Sequence, residues 1–335
     1  MKCNYCEWHC ELENETYGVC RMYKEDGGVI KERFPNKWCT YSISRAESLP
    51  FYHAYPGSRC MTIGTAGCNM DCRYCSNAFA AKEDPLKLQS TMYEFSPEEL
   101  VKMAIKRGCH TIVFNVNEPT VSLPSLLSVS RAAKKAGVPM GCLTNAYTTE
   151  EATELLADIF SFINISLKGL DSNFCREYLG IPGSKPVIRN IERLARKVHI
   201  EVTTPVIQSV NDKELDKIAD FLVSVNKNIP WHVFRLLPEH KMKDAIYPNI
   251  EAINASLEKS RRILPYIYFH NFVGSDWVNT MCPQCSSVVI ERFSLGCGGD
   301  KLSNFYCRDN TCSVCGCIIP IHGEHVAWNS KGGAV

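Results

Sequence analysis

The chain has 335 residues, of which 45% are hydrophobic, enough for one large domain with appendages or for two domains. Its 37 basic and 36 acidic residues nearly cancel, so no global field argues for nucleic acid or an anionic membrane, and no apolar run is long enough to span a bilayer. The 19 cysteines do not fit a small secreted disulfide scaffold; with a polar rather than signal-like stretch at residues 1–10, reduced thiols acting as metal ligands in a cytoplasmic protein are the expectation.

The first cysteines are Cys3, Cys6, Cys10 and Cys20, spaced C-x2-C-x3-C-x9-C. Zinc modules usually present two separated knuckles, whereas three thiols within eight residues read as an iron–sulfur loop. Cys20 would supply a fourth ligand, closing the site as an electron relay. A short β run over residues 60–66 then leads into "GCNMDCRYCSN", where Cys68, Cys72 and Cys75 are spaced C-x3-C-x2-C. Two of these alone could be half a zinc knuckle, which would need a fourth ligand nearby. Three thiolates on one loop with no fourth partner fit a cubane with one iron left open for a substrate or cofactor.

After the triplet, helix and strand alternate. The stretch 96–108 begins with a capping serine and an acidic pair and ends in glycine, which predicts a helix. Strands follow at 110–116, 138–145, 162–169, 199–207, 231–238 and 266–272, and helices at 123–137, 148–159, 188–198, 211–225 and 250–264. Such alternation argues for α/β architecture with parallel strands, as an open sheet or a barrel. Polar residues recur at strand ends: Asn117 and Glu118, Asn145, Ser166 and Lys168, Thr203, Arg235. In a barrel they would converge on one rim as candidate site residues. The alternative is that some merely cap helices, Glu118 before Pro119 among them, and His232 is equally a core histidine. The basic run "RNIERLARK" reads as the solvated face of a helix.

Near the other end, Cys282 with Cys285 and Cys312 with Cys315 form two knuckles like those of a zinc ribbon or rubredoxin. Cys307, Cys312 and Cys315 also show the C-x4-C-x2-C spacing of plant-type ferredoxins, with Cys297 and Cys317 left over. These extra thiols favour an auxiliary iron–sulfur cluster, with zinc as the alternative. The isolated Cys39, Cys60, Cys109, Cys142 and Cys175 are expected mostly to pack as small apolar side chains. The expected division is a cysteine-rich metal-binding module at 1–48, a barrel at 49–275, a second cysteine-rich module at 276–326 and a disordered tail at 327–335.

The triplet, with Tyr74 just before its third cysteine, resembles the motif of the radical S-adenosylmethionine enzymes. Together with "FNVNEPT", "LTNAY", "ISLKG", "EVTTPVI", "HVFRLLP" and the N-terminal "CNYCEWHCELENETYGVC", it resembles the branch related to pyruvate formate-lyase activating enzyme, and within it the Memo- and AMMECR-associated (AmmeMemoRadiSam) subgroup. The resemblance implies a partial (β/α)6 TIM-like barrel with cysteine-rich extensions and a 4Fe-4S cluster on Cys68, Cys72 and Cys75 that chelates S-adenosylmethionine. It implies reductive cleavage of that cofactor to a 5′-deoxyadenosyl radical, which abstracts hydrogen from a substrate. Asn117 and Glu118 would meet the cofactor's amino group; Asn145, Ser166 and Lys168 its carboxylate and ribose; Tyr74 its adenine. Thr203 and Arg235 are further candidates. A protein or peptide substrate and a low-potential donor such as ferredoxin or flavodoxin follow from the same branch, with a small metabolite as the alternative substrate. The chain has "YPGSRCMTIGT" where glycyl-radical activases carry a DGPG-type segment, so the generic chemistry is implied more strongly than a glycyl-radical product. An iron–sulfur electron-transfer protein and a zinc-stabilised binding module are the readings from other classes; the open triplet argues against the first, and the second leaves the middle of the chain unexplained.

Overall fold

The computed structural model describes residues 1–13 and 16–327; beyond residue 327, the tail expected to be disordered lies outside them. Its centre is an eight-stranded sheet of β1 (Thr40–Arg45), β2 (Arg59–Gly64), β3 (Thr111–Phe114), β4 (Met140–Thr144), β5 (Phe162–Ser166), β6 (His199–Val206), β7 (Trp231–Arg235) and β8 (Ile267–His270). β1 is an antiparallel edge on β2, pairing Ile43 with Met61, and β2 to β8 run parallel in sequence order. This order never reverses, unlike that of a doubly wound sheet, which has a switch point. β3 is buried throughout and β4, β5 and β6 nearly so, which is why β3 to β5 read as largely apolar runs rather than strict alternations. β1 belongs to this sheet although it falls within the stretch expected to form a separate module at 1–48.

The helices between the strands begin and end on local chemistry. α1 (Pro97–Lys106) opens on a capping box: Ser96 Oγ accepts from the Glu99 amide at 3.2 Å, and the Glu99 carboxylate accepts from the Ser96 amide at 2.8 Å. Its buried face carries Leu100, Val101 and Ala104. α2 (Leu123–Lys135), α3 (Glu150–Ile159), α4 (Lys185–Leu194) and α5 (Leu215–Asn226) follow β3, β4, β5 and β6. α6 (Ile250–Ser256) is shorter than the expected 250–264. Ser256 Oγ donates back to the Ala252 carbonyl at 3.0 Å and Arg261 Nη1 takes the Asn254 carbonyl at 3.2 Å, so a 3-10 turn at Ser260–Arg262 replaces the last turns.

Two pieces close the structure. The segment entering β2 fills the interior with Phe51, Tyr52, His53 and Ala54, all fully buried. It is held by Glu201 of β6, whose carboxylate accepts from the amides of Tyr52, His53 and Ala54 at 3.0, 2.9 and 3.1 Å. From Glu201 a buried polar chain continues through His232 (2.6 Å), His270 (3.1 Å from His232), Asp300 (2.7 Å from His270) and the Tyr52 hydroxyl, which donates to Asp300 at 2.6 Å. Asp300 opens β11 (Asp300–Phe305), which with β9 (Thr280–Met281) and β10 (Val288–Ser294) forms a three-stranded antiparallel sheet. His232, left open between core and site, is therefore a core histidine.

Candidate cofactor cavity and metal centres

The cysteine triplet sits on the loop after β2. Asn117, just past β3, spends its side chain on that loop: Nδ2 donates to the carbonyls of Ala66 and Gly67 at 3.0 and 2.9 Å and Oδ1 accepts from the Thr65 amide at 3.0 Å. Further along, the amides of Asp71 and Arg73 donate to the carbonyls of Leu179 and Tyr178, both at 2.9 Å, and Lys82 Nζ donates to the Met70 carbonyl. Residues 178 and 179 belong to a π-turn (Cys175–Leu179) whose role no sequence pattern signalled. Burial pushes the thiols of Cys68, Cys72 and Cys75 up, while Lys82 pulls all three down and Lys168 assists at Cys72 and Cys75.

The three thiols open onto a cavity of about 400 Å³, within the range of small-molecule sites. Its wall also carries Tyr74, Asn117, Glu118, Asn145, Ser166, Lys168, Thr203 and Arg235, so the structure brings all eleven expected site residues to one place. They do not present equal chemistry. Glu118 is turned into the protein: its carboxylate accepts from Thr144 Oγ1 at 2.8 Å, the Asn145 amide at 2.7 Å and Thr120 Oγ1 at 3.0 Å, and it caps the 3-10 turn at Pro119–Ser122. Burial raises its pKa, against the pull of those donors. Thr203 Oγ1 donates to Asn164 Oδ1 at 2.8 Å. Tyr74 keeps a buried hydroxyl with no protein partner, as Arg235 does with Nε, and the Lys168 ammonium stands 5.9 Å from the Tyr74 ring.

Sequence reasoning missed Lys82, Asn164 and the floor residues Ser48, Leu49 and Pro50 on the same wall. Asn164 was within reach, since it lies two residues before Ser166 and so on the same strand face. Nothing local points to the others.

Among the described residues, the metal-ligating side chains gathered most tightly are Cys282, Cys285, Cys312 and Cys315, with all four sulfurs within 4.8 Å of one another. Cys282 Sγ is 3.5 Å from Cys315 Sγ, and Cys285 Sγ 3.7 Å from Cys312 Sγ. Zinc–sulfur bonds of about 2.3 Å in a tetrahedron place sulfurs roughly 3.8 Å apart, so this set has the size of a single-ion site. Cys307 is not one of the four. It pairs with Cys312 in a short hairpin, and its sulfur lies 3.9 Å from the Val289 carbonyl. The tight set therefore joins the two knuckles and leaves out Cys307, which the ferredoxin-like spacing had drawn in.

The triplet and most of the cavity wall fall inside a stretch that matches a known family. Residues 62–222, from the end of β2 through most of α5, match the family model described as the Radical SAM superfamily. Over its length the chain is similar to the uncharacterized protein MJ0808 of Methanocaldococcus jannaschii, 28% identical over 331 residues that cover 94% of each chain. Among solved structures it is similar to Streptococcus suis SuiB bound to precursor peptide SuiA, at 15% identity over 65% of this chain, with a TM-score of 0.49. The match takes in 48% of the SuiB chain, so the present chain spans about half of that protein's length. A domain of pyruvate-formate lyase-activating enzyme from Bacteroides vulgatus matches 48% of this chain at 20% identity, with a TM-score of 0.39. No helix among the described residues is long and apolar enough to cross a membrane.

Proposed function

We propose that this protein is a radical S-adenosylmethionine enzyme that acts through a 4Fe-4S cluster on Cys68, Cys72 and Cys75. The observation that carries the reading is that these three thiols, and no fourth among the described residues, open onto a cavity where the polar strand ends converge. The bound cofactor and cluster would supply reductive cleavage to a 5′-deoxyadenosyl radical and hydrogen abstraction from a substrate. The residues of the wall suit the cofactor: Lys168 and Arg235 offer cations to a carboxylate, and the unpartnered Tyr74 hydroxyl and Arg235 Nε offer buried donors that a polar ligand would satisfy. Asn117 and Glu118 work one step back, the first fixing the loop and the second orienting the Asn145 backbone. Lys82, at the base of the loop, offsets the negative charge of three thiolates.

The sequential strand order is read as the partial (β/α)6 barrel of this class. The substrate is a protein or peptide, as in the activating-enzyme branch that the sequence resembles, with a ferredoxin- or flavodoxin-like donor in the cytoplasm supplying electrons. A small anionic metabolite is a second reading, favoured by Lys82, Lys168 and Arg235 around a cavity in which Glu118 is the one carboxylate of the described wall. The tetrad at Cys282, Cys285, Cys312 and Cys315 holds zinc.

The test is anaerobic turnover of S-adenosylmethionine with dithionite as reductant. The reconstituted protein is expected to release 5′-deoxyadenosine, and the variant with Cys68→Ala, Cys72→Ala and Cys75→Ala to release none. Equal release from both would overturn the reading.

A further inference from the structure

The four N-terminal cysteines lie outside the cavity, and nothing in the chemistry above uses them. Cys3, Cys6, Cys10 and Cys20 instead line a second, small pocket of their own. Its wall is otherwise mainly apolar, with Leu12, Tyr23 and Val121 against it. We propose that these four thiols hold a second cubane iron–sulfur cluster, fully ligated by protein, that delivers electrons to the Cys68–Cys75 loop. The delivery part rests on the reading of that loop as a cluster site.

Spacing separates this set from the zinc tetrad. In the tetrad four sulfurs lie within 4.8 Å of one another, whereas among the described residues no three of the N-terminal sulfurs do. One tetrahedral ion needs its sulfurs about 3.8 Å apart. A cubane bonds each thiolate to a different iron at a different corner, so its ligands must stand wider and enclose a space. The catalytic triplet is likewise too open to count as a single-ion site, so the N-terminal set resembles the triplet and not the tetrad.

The loop is built around the sulfurs. Gly18 has φ of +62°, and a side-chain carbon there would come within 2.9 Å of Cys10 Sγ and 2.8 Å of its Cβ. Only a glycine lets the chain turn over that sulfur. The next amide, of Val19, points to Cys10 Sγ at 3.4 Å. Amide donors to thiolate are among the levers that set a cluster's potential. The Cys3 amide donates to the Cys10 carbonyl at 2.8 Å, tying the first ligand to the third.

The same module leans on the catalytic loop. Gly67, the residue before Cys68, has φ of +76°, and a side-chain carbon on it would lie 2.5 Å from the Cys20 carbonyl oxygen. Trp8 Nε1 donates to the Asn69 carbonyl at 2.7 Å. Asn69 lines the N-terminal pocket, and its Oδ1 accepts from Asn145 Nδ2 at 2.7 Å; that same Nδ2 stands 3.8 Å from Cys68 Sγ. One residue thus touches both thiol sets. Four protein thiolates leave no iron open for a ligand, so the site suits one-electron transfer. A low-potential protein donor is oxidised by one electron, the N-terminal cluster accepts it and passes it on, and the electron is consumed when the carbon–sulfur bond of S-adenosylmethionine breaks to methionine and the adenosyl radical.

Iron and acid-labile sulfide decide this, measured on the anaerobically reconstituted full chain and two variants. One variant carries Cys68→Ala, Cys72→Ala and Cys75→Ala; the other carries Cys3→Ser and Cys20→Ser. The full chain is expected to hold about eight irons and each variant about four, as for two cubanes. The triplet variant, once reduced, is expected to give a paramagnetic cubane signal that S-adenosylmethionine does not alter. A triplet variant without iron overturns this inference and leaves the proposed function standing. A Cys3→Ser, Cys20→Ser variant without iron, beside a triplet variant that keeps it, overturns the proposed function instead. If the N-terminal variant does not fold, the triplet variant alone decides. For delivery, the rate of cofactor cleavage driven by flavodoxin is divided by that driven by dithionite. This ratio is expected to fall in the Cys20→Ser variant, and an unchanged ratio overturns the relay.

Discussion

Glu118 faces the cavity by position and the protein by chemistry. An ammonium could use its carboxylate, yet its oxygens already accept from Thr144, Asn145 and Thr120. Glu118→Ala would strand these buried donors, each at a cost of about 1–3 kcal/mol. The expected result is a large loss of stability in urea denaturation of the ligand-free chain, with Glu118→Gln, which keeps the shape and one acceptor oxygen, losing less. Equal stability of Glu118→Ala and wild type would return the carboxylate to a direct binding role. The residue type and its place after a strand were legible in the sequence. The direction of its oxygens was not, because it depends on Thr144 and the Asn145 amide, 26 and 27 positions away.

At the scale of elements, periodicity and capping carried most of the fold. β2 to β8 and α1 to α5 lie close to where alternation and the Ser96 cap put them. Among the elements that escaped are the edge strand β1, the antiparallel sheet of β9 to β11, the π-turn at Cys175–Leu179, the buried segment around Tyr52 and the early end of α6. Each of the last three is set by partners far away or by a single side-chain bond that no period records. The second knuckle pair shows the same limit. Two spacings share Cys312 and Cys315, and only the path of the hairpin separates Cys307 from the ligand set. The prediction at this scale is that Cys312→Ser lowers zinc from about one per chain to none while leaving iron unchanged, as read by elemental analysis of the same sample. Loss of iron in step with zinc would show that the tetrad holds iron.

Across the whole molecule, buried histidines set the response to acid. Burial lowers His53 from 6.5 to about 3 and His232 from 6.5 to about 4. The unfolded chain would bind these protons near 6.5 and the folded chain would not. The stability they contribute is therefore complete above 6.5 and drains as pH falls toward 4, by about 1.4 kcal/mol per pH unit for each independently titrating histidine. Glu201, held low by His199 and His232 against the effect of its burial, acts in the same direction at lower pH. The urea midpoint is expected to fall steadily between about pH 7 and about pH 5, and a flat midpoint would show that these rings are already charged in the fold. The buried chain from Glu201 to Tyr52 also has a consequence in time. The Tyr52 hydroxyl waits for Asp300, 248 residues later. At about 5–20 residues per second, a ribosome takes roughly 10–50 s to cover that distance. Until then the interior is lined with polar groups whose partners have not been made. A message cut short before codon 300 yields a chain with Tyr52 and His270 lacking their shared carboxylate, and such unfinished products are open to proteolysis before they can present a working cavity.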